Sequence, residues 1–381
     1  MYGFDEKSVL WFKSYLEGRT QLVQVESKVS GVQSTGDHGA PQGSVLAGLI
    51  FLIYSNDFPV SSTLGESIVY VDDNTDIVCD AKPNFLQSKI QRKAEDSSAW
   101  LLDNRMCVAG AKSKLLIVGS RQQKIASKEE INQFRVNIDG QEIYETKSEK
   151  VLGLVLSNDF TWREYLYGET WRNQSSNNSG LINQLSQRVG MIKRLSKCVS
   201  RERLKIFAEG LFYSKLNYCL PVFGHVFGLD SYNLQNQRFS AYTKADNRKL
   251  QVLQNTVMRI LSGCNRDTPT TVLLEQTKSL SVHQSIAYQT LVLTHKIVNT
   301  KKPTYLATNL CPQSEVGILL RRNEGNVIQP NYRLNSSRSG FLYRAAKLFN
   351  CLPKEVKLQE KLGSFKYDAK EWVKVNISVK P

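Results

Sequence analysis

Two neighbouring aspartates between short apolar runs constrain this chain more than any other feature of its sequence. Residues 67–72 and 75–79 each have the composition of a β-strand, and Asp72, Asp73 and Asn74 lie where the runs meet. Such runs on either side of turn-forming residues predict a β-hairpin with its acids at the turn. Carboxylates presented there are hard oxygen ligands of the kind that Mg²⁺ prefers. An exposed hairpin turn of this composition is also common in proteins where it has no catalytic role. The hairpin alone therefore leaves two interpretations open, a metal-binding site and a plain turn.

A glycine-rich loop at residues 36–43 is the second informative segment. It precedes an apolar run that predicts a helix continuing to residue 57. Glycines let a backbone approach a ligand closely, and a helix N-terminus offers free N–H groups to phosphates. A plain turn explains the loop equally well.

The order and spacing of these two segments resemble the reverse transcriptase of non-LTR (LINE-like) retrotransposons. The segment GAPQGSVLAGLIFLIYSNDFP, which begins at Gly39, is similar to motif B of that family, and YVDD, which begins at Tyr70, is similar to motif C. The segment AGAKSK at residues 109–114 lies where the family has its motif D lysine. VLGL at residues 151–154, followed by FTW, is similar to the primer grip. Motifs B and C are the specific part of this resemblance.

The resemblance implies a role for each matching residue. Asp72 and Asp73 would be catalytic metal ligands for Mg²⁺ or Mn²⁺, and Lys112 would be a general acid towards pyrophosphate. A solvated surface lysine explains Lys112 as well. The remaining positions would contact the template, the primer or the nucleotide: Gly39, Pro41, Gln42, Gly43, Tyr70, Val71 and Gly153. Gly153 could equally be a strand bulge.

The resemblance also implies a missing ligand. In the family, the first metal-binding aspartate lies on a separate strand, upstream of the helix that this sequence predicts over residues 4–18. Asp5 and Glu6 are not substitutes, because acids at a helix N-terminus are favoured there by the helix dipole. Asp57 is expected to cap the end of the motif B helix. We therefore expect weak metal binding and impaired nucleotidyl transfer by a two-metal mechanism.

Charge divides the chain in two. Residues 1–180 carry 19 basic and 23 acidic side chains, whereas residues 181–381 carry 31 and 12. This asymmetry favours a polyanionic partner for the second half, although a solvated basic surface explains it too. The expected partners are an RNA template, a DNA primer and a deoxynucleoside triphosphate. The alternative is a catalytically inactive nucleic-acid-binding fragment, with bases stacked on aromatic side chains near Tyr332 and at residues 341–344.

Other features exclude several classes of protein. The longest apolar run, residues 45–54, is about half of what a membrane span of ~20 residues needs. No two of the seven cysteines form a C-x-x-C pair, so no zinc motif is predicted. Dispersed thiols and acids near residue 1 favour an intracellular protein, nuclear or cytoplasmic, over a secreted or membrane protein.

The predicted fold class is α+β, with a partial reverse-transcriptase palm followed by a mainly helical thumb and C-terminal region. The palm is expected over residues 1–156, the thumb-like region over 157–240 and the basic helical region over 241–381. A polar insert at residues 173–180 predicts a flexible boundary. Strand patterns lie at residues 21–29, 114–118, 134–138 and 150–156, and helical patterns at 84–104, 181–199, 200–217, 248–262, 281–299 and 338–350.

Overall fold

The computed structural model describes nearly the whole chain and divides it into two compact units. The described residues are 3–35, 39–41, 43–119, 121–168, 180–227, 242–317, 324–332, 335–338 and 340–379. The N-terminal unit comprises residues 1–115 and 122–145, and the C-terminal unit comprises residues 116–121 and 146–381. Most of the predicted insert at residues 173–180 lies outside the described residues.

The described part of the N-terminal unit combines helices with four short antiparallel strand pairs. Strands β1 and β4 pair, β2 and β3 form a hairpin between them, and the hairpins β5–β6 and β7–β8 follow. The strands are β1 (Thr20–Gln21), β2 (Gln24–Val25), β3 (Lys28–Val29), β4 (Gln33–Ser34), β5 (Glu66–Tyr70), β6 (Asp73–Ile77), β7 (Arg135–Ile138) and β8 (Gln141–Tyr144). The helices of this part of the chain are α1 (Glu6–Leu16), α2 (Val45–Tyr54), α3 (Pro83–Asp103), α4 (Arg121–Ala126) and α5 (Lys128–Asn132), with 3₁₀ turns at Phe58–Val60 and Gly110–Lys112.

Helix α3 contacts the β7–β8 hairpin and the Phe58–Val60 turn. The side chain of Gln91 accepts from the Asn137 amide at 2.8 Å and donates to the Asn137 carbonyl at 3.0 Å, so it continues the hydrogen bonding of β7. Phe58 packs edge-on against Trp100 of the helix, with ring centroids 5.0 Å apart. The helix thus holds β7–β8 through polar bonds and the Phe58 turn through an aromatic contact.

The C-terminal unit is mainly helical and has a single large core. Its strands are β9 (Ser148–Val151) and β10 (Leu154–Ser157), which form an antiparallel hairpin. Its helices are α6 (Arg163–Tyr167), α7 (Leu181–Leu195), α8 (Arg201–Ala208), α9 (Ser214–Asn217), α10 (Leu220–Phe223), α11 (Lys244–Ser262), α12 (Thr270–Thr277), α13 (Val282–Thr300), α14 (Thr304–Asn309), α15 (Asn335–Arg338), α16 (Phe341–Asn350), α17 (Lys354–Lys357) and α18 (Leu362–Asn376), with a π-helix at Glu209–Tyr213 and a 3₁₀ turn at Gln313–Val316.

This core joins segments far apart in the sequence. Its buried side chains run from Tyr165 through Leu250 and Ile286 to Phe365 and Val373. Residues of the predicted thumb-like and C-terminal regions therefore share one hydrophobic core. Helices α11 and α13 in its centre both begin with a capping box, formed by Thr243 with Asp246 and by Ser281 with Gln284.

The coarse fold class is confirmed: the chain is a mixed α+β protein whose described sheets are small and antiparallel. Several predicted elements differ in detail. Residues 21–29 form two short pairings rather than one strand, because the chain turns at Glu26, where φ is +54°. Residues 114–118 form no strand and contribute one bridge, Leu115 to Glu145. The helix predicted over residues 200–217 contains the π-helix, which periodicity alone does not signal.

Candidate active site

The β5–β6 hairpin presents the two predicted aspartates at its tip. Its strands pair in register from Glu66 opposite Ile77 to Tyr70 opposite Asp73, so the turn consists of two residues, Val71 and Asp72. Asp73 is therefore the first residue of β6 rather than part of the turn. Directly opposed residues share a face of the hairpin, which places Asp73 beside Tyr70.

Val71 has an unusual backbone conformation. Its φ is +57°, while Asp72 does not have a positive φ. A positive φ at the first central residue alone is typical of a type II′ turn, where glycine is normally preferred. A β-branched residue in this region is a true outlier, and such strain costs about 1–3 kcal/mol. Strain of this kind concentrates at functional sites, which makes the tip a candidate for function.

Both tip carboxylates are available to a ligand. Asp72 and Asp73 are exposed, and within the described part of the chain neither side chain has a hydrogen-bond or ion-pair partner. The neighbouring Tyr70 side chain is 62% exposed. Two adjacent carboxylates without protein partners can bind a hard cation that keeps part of its water shell.

A partly buried polar network joins β6 to α3 and was not foreseen from the sequence. The carboxylate of Asp76 on β6 accepts from Ser67 at 2.6 Å and from Asn74 at 3.0 Å. The ammonium group of Lys93 on α3 lies 3.7 Å from the same carboxylate, and the Lys93 side chain is fully buried. This network connects the strand that carries Asp73 to the helix behind it.

The sequence does contain a signal for this network. Lys93 lies on the same helical stripe as Leu86, Ile90 and Trp100, where an apolar residue would be expected. Asp76 is three residues beyond Asp73, so the two-residue period of a strand turns it to the opposite face. A lysine on an apolar stripe and an acid on the inner face of a strand together indicate a buried pair.

The glycine-rich loop lies near the start of α2. Gly39 and Gly43 have φ values of +69° and +80°, and the Gly39 carbonyl accepts from Arg19 at 2.6 Å. Pro41 is half-buried, and its carbonyl accepts from the Ser44 amide at 3.2 Å. Ser44 caps α2 by accepting from the Ala47 amide, so one of the N–H groups at this helix end is already used. Gln42 lies outside the described residues.

The other predicted residues belong to other elements of the chain. Lys112 ends the 3₁₀ turn beside β8, is exposed, and has no hydrogen-bond or ion-pair partner within the described chain. Gly153 belongs to the C-terminal unit and lies in the two-residue turn between β9 and β10, so it is not a bulge. Asp57 occupies the N-cap position of the Phe58–Val60 turn, but its side chain makes no capping hydrogen bond, contrary to expectation.

The predicted helix N-terminus near Asp5 is confirmed. The Asp5 carboxylate accepts from the Ser8 amide at 2.8 Å, and the hydrogen bonds from Ser8 lower the pKa of Asp5. This carboxylate acts as a helix cap and is occupied in that role.

Two further searches bear on the site. Across the described residues, no three histidine, cysteine, aspartate or glutamate side chains cluster as a metal site would require, and no helix has the length and hydropathy of a membrane span. Comparison of the chain with protein families, with curated proteins and with solved structures gives no match.

Proposed function

We propose that this chain carries the catalytic hairpin of an RNA-directed DNA polymerase of the non-LTR retrotransposon type. The observation that carries the proposal is the tip of β5–β6, where Asp72 and Asp73 are exposed and unpartnered beside a strained Val71. The glycine-rich loop before α2 supports it through its order and spacing relative to the hairpin. In this proposal the partial palm comprises the hairpins and helices of the N-terminal unit, and the substrates are an RNA template, a DNA primer and a deoxynucleoside triphosphate.

The donor set at the tip fits a magnesium or manganese ion. Asp72 and Asp73 would hold it, because carboxylates together with water and phosphate oxygens are its usual ligands. When bound, such an ion lowers the pKa of a hydroxyl nucleophile and neutralises phosphate charge. The protein's own part is to present one carboxylate in the turn and the other at the start of β6, with Tyr70 exposed beside Asp73.

We expect this polypeptide by itself to extend primers weakly or not at all. The hairpin supplies carboxylates from one strand pair, whereas an in-line displacement between two metal ions uses ligands on both sides of the reacting phosphate. The test is primer extension on an RNA template with Mg²⁺ or Mn²⁺, comparing the unaltered chain with Asp72→Ala. Asp103→Ala, which removes an exposed acid from the end of α3, is the matched control.

The outcomes distinguish an impaired catalytic site, a fully active one and a hairpin that is not catalytic. A trace of extension that is abolished by Asp72→Ala and retained in Asp103→Ala supports the proposed site. Robust extension that depends on Asp72 would contradict the expected impairment while supporting the activity. Extension that is equal in all three proteins would reject the hairpin as the catalytic site.

The second candidate is a nucleic-acid-binding protein without polymerase activity. It is favoured by the basic excess of residues 181–381, which contain 31 basic and 12 acidic side chains. One cation of this region is not available to a partner: Arg344 is buried and donates to the Gly224 and Pro221 carbonyls. Metal-dependent nucleotide incorporation separates this candidate from the first.

A further inference from the structure

A groove in the C-terminal unit lies between α7 and the π-helix. It has a volume of about 370 Å³ and is lined by Gln184, Gln187, Arg188, Met191 and Leu211. We call these five residues the α7 groove. The four from α7 are three, four or seven residues apart, a spacing that an α-helix brings to one face, and Leu211 belongs to the π-helix.

The groove face of α7 is separate from the face that enters the core. The buried residues of this helix are Leu181, Leu185, Val189 and Ile192, none of which lines the groove. Met191 is 43% exposed and Leu211 is half-buried. Apolar surface of the groove is therefore open to solvent.

The element that carries Leu211 extends this apolar exposure. Helix α8 continues directly into the π-helix, and its residues Ile206 and Phe207 are 73% and 41% exposed. Phe207 precedes Leu211 by four residues. Exposed apolar side chains beside polar groups are typical of surfaces that bind another protein, and methionine adapts its shape to such a partner.

Arg188 supplies an oriented cation in the groove. Its Nη1 donates to the Leu211 carbonyl at 2.6 Å, which fixes the guanidinium and leaves other N–H donors for a ligand. Arg188 forms no ion pair with a carboxylate of the described residues, and α7 contains no acidic residue. A guanidinium of this kind binds a carboxylate through two parallel hydrogen bonds.

The charge around the groove selects an acidic partner. Residues 181–208 contain seven basic side chains and one acidic side chain. Opposite charge on a partner steers its encounter and fixes its orientation. A phosphodiester backbone would match this charge but has no aliphatic groups to cover Met191 and Leu211. A carboxylate next to aliphatic side chains matches both the charge and the apolar surface.

We infer that the α7 groove binds an acidic amphipathic helix of a partner protein. Aliphatic side chains from one stripe of that helix would lie against Met191 and Leu211, and a neighbouring carboxylate would accept from Arg188. Helices dock into grooves in this way through apolar residues spaced three, four and seven positions apart. The inference goes beyond the proposed polymerase and depends neither on Asp72 nor on nucleic acid.

The test measures the binding of two synthetic peptides to the full chain by fluorescence anisotropy. Each peptide has about 18 residues, which is long enough to form a helix. The striped peptide carries leucines three, four and seven positions apart and glutamates elsewhere. The scattered peptide has the same residues in an order that spreads the leucines around the helix. Because the two charges are equal, the difference in affinity reports recognition of the apolar stripe.

Met191→Asp tests the apolar contact, and Val375→Asp, at an exposed residue of α18, is the matched control. The two variants have the same net charge. Met191→Asp should weaken binding of the striped peptide by about tenfold or more, as loss of a central apolar contact does, and Val375→Asp should leave it unchanged. Thermal unfolding followed by circular dichroism should give similar midpoints, since both side chains are exposed.

Arg188→Gln tests the carboxylate contact, because glutamine keeps a donor for the Leu211 carbonyl and removes the charge. It should weaken binding of the striped peptide by about three- to tenfold. The loss should be smaller for a striped peptide in which glutamine replaces glutamate. Equal losses for the two striped peptides would overturn the assignment of a carboxylate to Arg188.

Two other results would overturn the inference as a whole. One is a striped peptide that binds the unaltered chain no better than the scattered peptide does. The other is an equal effect of Met191→Asp and Val375→Asp. A labelled RNA–DNA duplex whose affinity falls in Met191→Asp, while the affinity for the striped peptide does not, would assign the groove to nucleic acid instead.

Discussion

The Lys93–Asp76 pair shows how a single buried charge can shape a candidate site. Lys93 has a fully buried side chain, and its ammonium group has no hydrogen bond. Asp76, by contrast, is partly exposed and accepts from Ser67 and Asn74. Loss of Asp76 would therefore leave the Lys93 ammonium without its counter-charge, whereas loss of Lys93 would leave the Asp76 carboxylate with its hydroxyl and amide donors.

This inequality predicts the order of two substitutions. Asp76→Asn leaves the buried ammonium of Lys93 without its counter-charge and should lower the free energy of unfolding by about 3 kcal/mol, as breaking a buried pair generally does. Lys93→Met leaves a carboxylate that still has its hydroxyl and amide donors, so the loss should be about 1 kcal/mol. Urea denaturation of both variants measures the difference, and the opposite order would contradict this account of the network.

The buried histidines give the C-terminal unit a predictable response to acid. Burial, with further effects from the Arg344 cation and from His283, lowers the pKa of His225 from 6.5 to about 3. His283 accepts from the Phe227 amide at 2.9 Å through Nε2, and burial lowers its pKa as well. Both histidine side chains are buried in the C-terminal unit.

Because the folded-state pKa of His225 is depressed, its contribution to stability is complete above pH 6.5 and is lost as the pH falls towards 3. Over that window the unfolded state binds the extra proton, so the free energy of unfolding should fall by about 1.4 kcal/mol per pH unit for this group. His225→Leu cannot take up the proton and should show a correspondingly shallower dependence. Urea denaturation from pH 7 to pH 4 measures both slopes, and identical slopes would show that His225 does not titrate on unfolding.

At the scale of elements, the β5–β6 hairpin combines regular pairing with a strained turn. The five paired positions fix the register of the hairpin. The two-residue turn that joins them then places Val71 at a φ of +57°. Glycine has no Cβ and adopts this conformation freely. The turn can therefore be relaxed without altering either aspartate.

Val71→Gly should raise the free energy of unfolding, or leave it within about 1 kcal/mol of its present value, because relief of strain opposes the added flexibility of the unfolded chain. Val69→Gly is the matched control. Val69 is a half-buried residue within β5, so its loss should be clearly destabilising. Equal destabilisation by the two substitutions in a urea titration would show that Val71 is not strained.

Helix α16 illustrates how an element can be located correctly and its role still be misjudged. Its pattern predicts a basic amphipathic helix near residues 338–350, and the helix spans Phe341–Asn350. The sequence suggests aromatic side chains at residues 341–344 that could stack on bases, with Arg344 among the basic residues that would attract phosphates. In the structure its guanidinium donates to carbonyls at the end of α10, and it is 5% exposed. Carbonyls left free at a helix end are suitable partners for a buried arginine.

At the scale of the whole molecule, charge and packing divide the chain differently. The change from acidic to basic composition comes near residue 180, whereas the contacts divide the chain near residue 145. The β9–β10 hairpin, which the sequence assigns to the palm, lies in the C-terminal unit. The hairpin therefore belongs to a unit whose other described elements are mainly helical.

Local pattern was sufficient to predict the β5–β6 hairpin, the helix N-terminus near Asp5, and most helices. These features depend on residues a few positions apart, through the periods of strands and helices and through turn chemistry. The register was less certain: the sequence places Asp73 in the turn, and the pairing of Tyr70 with Asp73 moves it into β6.

The sequence by itself thus determined where the acidic tip, the glycine-rich loop and the helices lie along the chain. Only the tertiary structure decided that Lys93 pairs with Asp76 and that Arg344 is buried against the carbonyls of α10. The physical reason is that burial and charge proximity depend on contacts between residues far apart in sequence, whereas the periodicity of a segment depends only on its near neighbours.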